Sequence, residues 1–295
     1  MSRWGLAVLS ALALLTASPA GAAPFLFSTG APDGKMASAT RPESTGKIEI
    51  ESADDFIAPS PVDLTAATFT VLLTDGADIS DIGQVRIEIY RVFPNDSNVM
   101  RTSGPPTFST PNVPTRANSP SDVAFAERDS AVGNLLSVAT VLSSNFTAQN
   151  SVQPGGIHPM PGQTTGGDGM VTGKEVQFTV AFDSLSLPAD HYFFVPQVQV
   201  NGGEFLWLSA PKPITQGTPF MPDLQSWTRD ANLDPDWLRI GTDIVGGETP
   251  PTFNASFSLL GQVVPEPSTA ALLFVGVALI AWRNGVRAAA SRSPR

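Results

Sequence analysis

Several stretches of this chain alternate apolar and polar residues, and that period of two constrains its fold more than any other feature. Val85, Ile87 and Ile89 face one way while Arg86 and Glu88 face the other, with Tyr90 to Phe93 continuing the pattern. Val176, Phe178, Val180 and Phe182 alternate with Gln177, Thr179 and Ala181. Phe253, Ala255, Phe257 and Leu259 alternate with Asn254, Ser256 and Ser258, and Lys47-Ile48-Glu49-Ile50-Glu51 is a shorter case. Extended chain throws successive side chains to opposite faces, so such runs are half-buried strands and not helices. Further strands are expected at 67–73, 135–147, 191–200 and 204–209. Apart from a helical turn or two in 224–238, no segment between the termini has a helical period. With 27 prolines and 25 glycines to punctuate the strands, the expected fold is all-β: an antiparallel β-sandwich, jelly-roll-like, over residues 23–262.

The two ends depart from this pattern. Residues 1–22 read as a signal peptide: Arg3 gives a positive start, residues 6–15 an apolar run, and Ala20-Gly21-Ala22 a small-residue cleavage site, with the cut after Ala22. Residues 263–295 hold Pro265-Glu266-Pro267, an apolar run over 268–282 and a tail with Arg283, Arg287, Arg292 and Arg295. Prolines flanking a glutamate keep that point extended. The apolar run has no polar face, and in a bilayer a helix alone satisfies its own backbone. At helical rise it spans about 22 Å, which Trp282 and Arg283 lengthen by reaching toward the headgroups. A single C-terminal transmembrane helix is expected, with the arginines on the cytoplasmic side.

Pro265-Glu266-Pro267-Ser268-Thr269, a short apolar helix and a basic end, in that order, resemble the PEP-CTERM sorting signal of Gram-negative bacteria. The resemblance covers about a tenth of the chain. It implies recognition by an exosortase, a membrane-embedded cysteine protease-like enzyme that cuts near the motif and passes the ectodomain outward. A second resemblance lies inside the ectodomain. Ala53-Asp54-Asp55-Phe56, Ala67-Thr68-Phe69 and Ile87-Glu88-Ile89-Tyr90 look like the opening of sandwich ectodomains carried by PEP-CTERM proteins. His191-Tyr192-Phe193-Phe194, Phe205-Leu206-Trp207-Leu208 and 255–261 look like their closing strands.

Composition narrows the chemistry. The chain has no cysteine, so an exported domain must be held without disulfides. With Arg3, the four tail arginines and Glu266 set aside, 12 basic residues face 26 acidic ones. A balance near −14 argues against nucleic acid and against docking on anionic lipid. There are two histidines, His158 and His191, and no spacing joins them to a nucleophile or a metal. No Gly-x-Ser-x-Gly elbow, His-Glu-x-x-His or phosphate-cradling glycine loop occurs, and Gly166-Gly167-Asp168-Gly169 is turn chemistry. Long loops are expected at 101–120 and 154–173.

Asp230-Ala231-Asn232-Leu233-Asp234-Pro235-Asp236 spaces its oxygens like the first half of a Ca²⁺ loop. However, Pro235 stands where the loop needs glycine and Gly241 where it needs glutamate. Asp75, Asp78 and Asp81 form a second acidic group. Both are read as solvated turns, so no cofactor or metal is expected. Trp207 reads as core, and Trp227 and Trp237 as anchors of the acidic segment.

The expectation is a non-catalytic exported protein, structural or binding in role. Its partners are the Sec export machinery, signal peptidase and an exosortase, with extracellular polysaccharide as a further partner and no nucleic acid. The precursor is anchored in the inner membrane with its ectodomain in the periplasm; the mature form belongs at the cell surface or in the exopolysaccharide matrix of a biofilm. The alternative is an exported hydrolase or a glycan-binding module acting on a matrix polysaccharide. A pair of carboxylates in a cleft would mark the first, an exposed tryptophan platform the second.

Overall fold

The computed structural model describes residues 22–101, 113, 116–157, 164–212, 223–265, 279, 280, 282 and 283. The first half supplies β1 (Pro24–Ser28), β2 (Met36–Ala39), β3 (Ile50–Ala58), β4 (Val62–Leu73), β5 (Ile82–Arg91), β6 (Ala126–Asp129), β7 (Leu135–Ala148) and β8 (Asn150–Val152). The second half supplies β9 (Val171–Leu187), β10 (Asp190–Val200), β11 (Phe205–Ala210), β12 (Trp227–Asp230), β13 (Leu238–Arg239), β14 (Asn254–Ala255) and β15 (Phe257–Val263). The protein is mostly β, as the alternation predicts.

The strands form two sheets. A nine-stranded sheet runs β1-β15-β4-β11-β2-β8, with β14 on β11, β9 on β4 and β7 on β9; a six-stranded sheet runs β13-β12-β3-β10-β5-β6. Most pairs are antiparallel, but β2 and β8 run parallel, so the nine-stranded sheet is mixed. The sheets meet through aromatic side chains. Phe194 of β10 stacks on Phe257 of β15, centroids 5.0 Å apart and planes 4° apart, and meets Trp207 of β11 edge-on at 6.0 Å. Phe56 of β3 meets Phe27 of β1 at 6.0 Å. All of these rings are buried, and such contacts add about 0.5–1.5 kcal/mol each beyond area burial. The indole N–H of Trp207 donates to the Ser256 carbonyl at 3.0 Å.

Several boundaries correct the sequence reading. The strand expected at 47–51 begins at Ile50 and runs on to Ala58, while Lys47 closes a tight turn by bridging to Ser44. Within 224–238, β12 and β13 pair with each other across a turn at 231–235, where the Asp234 N–H donates to the Asp230 carbonyl at 3.2 Å, and a short helical turn follows at Ile240–Val245. The closing strand extends through Val263. The mainly apolar 135–147 strand is present as β7, but most of its side chains are exposed.

Residues 24–262 form one compact unit; residues 1–23 with 263–295 form another. In the second, Leu279, Ile280, Trp282 and Arg283 are helical and exposed. Among the described residues no helix is long and apolar enough to cross a membrane. Most of the expected transmembrane run, together with Ala20, Glu266, Pro267, Arg287, Arg292, Arg295 and His158, lies outside the described residues.

Candidate functional site

The two expected processing points adjoin, along the chain, the first and last strands. β1 opens at Pro24, just after the expected cut at Ala22, and lies antiparallel to β15 with Pro24 opposite Gln262 and Ser28 opposite Ser258. The Val263 N–H donates to the Ala23 carbonyl at 2.7 Å. One residue, Val264, separates the end of β15 from Pro265, and Ala22 and Pro265 are both exposed. Gly261 lets β15 approach β4 closely: a Cβ there would lie 2.3 Å from the Asp63 carbonyl oxygen.

A second set of residues was not legible as a site in the sequence. The polar side of the alternation in β3, β5 and β12 is buried, not solvated. Glu51, Glu88, Tyr90 and Arg229 are each less than 8% exposed. Register places Arg229 opposite Glu51, and the two form an ion pair. The Tyr90 hydroxyl donates to Glu51 at 2.7 Å and faces Glu88 at 3.4 Å, while Arg229 lies over the Trp237 ring, 4.3 Å from its centroid. Arg86 bridges Glu49 at 3.1 Å and Asp129 at 3.3 Å, and Gln197 donates to Glu49 at 3.0 Å. Burial, reinforced by Glu51, pushes the Glu88 carboxyl up to about 9. Burial would lower the Arg229 guanidinium, but Glu51 and Tyr90 outweigh it and raise it. The available signal was cross-strand: Glu51 on β3 stands opposite Arg229 on the neighbouring β12, and Arg86 and Glu88 keep a spacing of two on β5, one strand beyond β10.

Asp54 and Asp55, within one of the motifs that resemble other ectodomains, are also buried. Asp54 accepts from Ser226 and from the Ala255 N–H, each at 2.8 Å. Asp55 contacts the His191 ring nitrogen at 2.5 Å and accepts from the Leu224 N–H at 3.2 Å. Burial raises both carboxyls, and each feels another acid nearby: Asp55 for Asp54, Asp223 for Asp55. These bonds tie the segment 223–226 to β3. Asp54 and Asp55 are 0% and 1% exposed.

The acidic turn corrects its sequence reading. Asp230 and Asp236 are buried. Asp230 accepts from the N–H groups of Asn232 and Leu233 at 2.9 and 3.2 Å. Asp234 pairs with Arg229 at 2.8 Å, and Asp236 with Arg101 at 2.9 Å. Arginines occupy the positions where a cation would sit, and among the described residues no group of three or more acidic or histidine side chains is placed to hold a metal. Asp78 and Asp81 cap a short turn, Asp78 also meeting Lys174 at 2.8 Å, which lowers its carboxyl. Trp207, Trp227 and Trp237 are each 1% exposed, so none of them offers a stacking platform.

The outer face of the nine-stranded sheet carries a groove of about 420 Å³. Ser28, Thr68, Thr70, Gln177 and Ser258 give it hydroxyl and amide groups, Glu175 a carboxylate that burial raises, and Leu142 an apolar rim. Its chemistry suits a polar, uncharged ligand.

No protein-family model, curated protein or solved structure matches the chain.

Proposed function

We propose that this is an exported protein, processed at both ends and released to the cell envelope or extracellular matrix, whose ectodomain has a structural or binding role. In this reading the ectodomain is a jelly-roll-like sandwich, residues 268–282 form a transient membrane helix, and an exosortase acts at Pro265-Glu266-Pro267. The observation that carries it is the pairing of β1 with β15. The compact unit starts two residues after the expected signal-peptide cut, and its last strand ends two residues before Pro265 of the proposed sorting motif. Loss of both terminal segments would leave every strand in place.

The carboxylates favour a non-catalytic reading, because Glu51 pairs with buried Arg229 and Asp55 with half-buried His191, and both pairs link neighbouring strands. The groove beside Glu175 and Gln177 favours glycan binding as the second reading, with hydrogen bonds in place of aromatic stacking.

A topology test separates a membrane stop from a soluble tail. Val275→Arg costs about 3 kcal/mol of insertion at a helix centre, close to the roughly 2–4 kcal/mol that the apolar residues supply. The substituted precursor is expected in the soluble periplasmic fraction; full retention in the membrane contradicts the anchor.

A further inference from the structure

β7 follows one edge of the nine-stranded sheet for 14 residues and, among the described residues, pairs with β9 alone. An edge strand offers a row of unpaired N–H and C=O groups, which natural proteins guard with charge, proline or brevity. β7 has none of these. From Asp129 to Asp168 the chain contains no intervening Asp, Glu, Lys or Arg, and no proline falls within β7. Leu136 and Val138 are 75% and 66% exposed and share a face; Leu142, where the β7–β9 register shifts, is 51% exposed.

Two features select the occupant. The chain carries a formal charge of −10, so two copies repel over most of their surfaces and meet at least cost along an uncharged edge. A basic partner would be drawn to the acidic faces instead. The regular part of β7 before the register shift, residues 135–141, is also centred on Val138. An antiparallel pair about a two-fold axis there sets Val138 against Val138 of the other copy, Leu136 against Thr140 and Leu135 against Val141. β-Branched and aliphatic residues meet across the strands, which is the favourable cross-strand combination.

We propose that β7 is a self-association edge, on which a second copy of this chain adds its own β7 antiparallel about Val138 and joins the two nine-stranded sheets. The absence of native cysteine makes the test direct. Full-length Val138→Cys protein in mild detergent is treated with a short bifunctional maleimide, beside Ala181→Cys, an exposed β9 position paired with Leu136. Across the joint the two Val138 Cβ atoms lie about 5 Å apart, and the two Ala181 positions are three strand spacings across and four residues along the strands, about 20 Å apart. The expected result is a species of twice the chain mass from Val138→Cys and little from Ala181→Cys, with loss of that species when Leu136→Lys is added. Equal cross-linking at both positions, a dimer that survives Leu136→Lys, or no dimer from Val138→Cys would overturn the proposal. So would an adduct with a different protein in place of the doubled chain.

Discussion

Pro24 lies opposite Gln262 in an antiparallel pair, so the first and last strands of the folded unit are neighbours and its two ends leave the sheet together. This arrangement closes one edge region of the nine-stranded sheet with chain from both termini. It also places the two expected processing points beside the same pair of strands. Only Val264 separates the end of β15 from Pro265, so the connection to the expected motif is a single residue.

Gly261 holds that pair against β4. With the Asp63 carbonyl oxygen 2.3 Å from where a Cβ would stand, Gly261→Val forces β15 outward. Overpacking of this kind costs about 1–3 kcal/mol. Urea unfolding is expected to show a lower midpoint, and limited proteolysis faster loss of the C-terminal strand. An unchanged midpoint would mean that β15 contributes little to the fold.

The Arg229–Glu51 pair is a packing element, and its removal should register in stability. Arg229→Met leaves the Glu51 carboxylate buried without its partner, a change that typically costs about 3–5 kcal/mol. Arg229→Met with Glu51→Leu should recover a large part of that loss, because no charge is then stranded. Thermal unfolding of the two variants decides it; a double variant no more stable than the single one contradicts the account.

Glu88 supplies a pH dependence of definite sign. Its carboxyl is raised from 4.5 to about 9 in the folded protein, chiefly by burial and then by Glu51. Between those values the folded state binds more protons than the unfolded chain, so stability falls as pH rises. The contribution is complete below the ordinary carboxylate range and lost through about pH 9. Glu88→Gln removes it. The melting temperature of the variant, relative to that of the unaltered protein, should therefore climb from pH 5 to pH 9; two parallel curves would refute the assignment.

The all-β class was legible because burial on one face repeats every second residue, as in Val176, Phe178, Val180 and Phe182, all buried in β9. Failures came where both faces are covered. Glu88 and Glu51 alternate with apolar residues just as solvated side chains would, and only their neighbours, Arg229 and Trp237 from far along the chain, make that face an interior. Asp54 and Asp55 sit side by side in β3, and a dipeptide of acids reads as a turn or a surface until Ser226, Leu224 and His191 are brought onto it. Short strands such as β2, β6 and β8 carry too few residues to show a period. The expected sorting motif rests on the order of residues along the chain alone, and most of it lies outside the described residues.

The acidic turn 230–236 makes a prediction about ions. A site filled at a hundred times its dissociation constant would add about 2.7 kcal/mol of stability. Asp234 and Asp236 already face Arg229 and Arg101, so millimolar Ca²⁺ should leave the melting temperature unchanged. A clear rise that disappears in Asp234→Ala would show that the ion displaces those arginines.

The central claim is that this chain is cut near Pro265-Glu266-Pro267 and sent outward. Mass spectrometry of the C-terminal peptide, in cells with and without an exosortase, tests it most directly. The account predicts that protein from the surface or matrix fraction ends at about Glu266, and that without the enzyme the chain stays in the inner membrane with its C-terminus at Arg295. Intact protein ending in Arg295 in the mature surface fraction would contradict it.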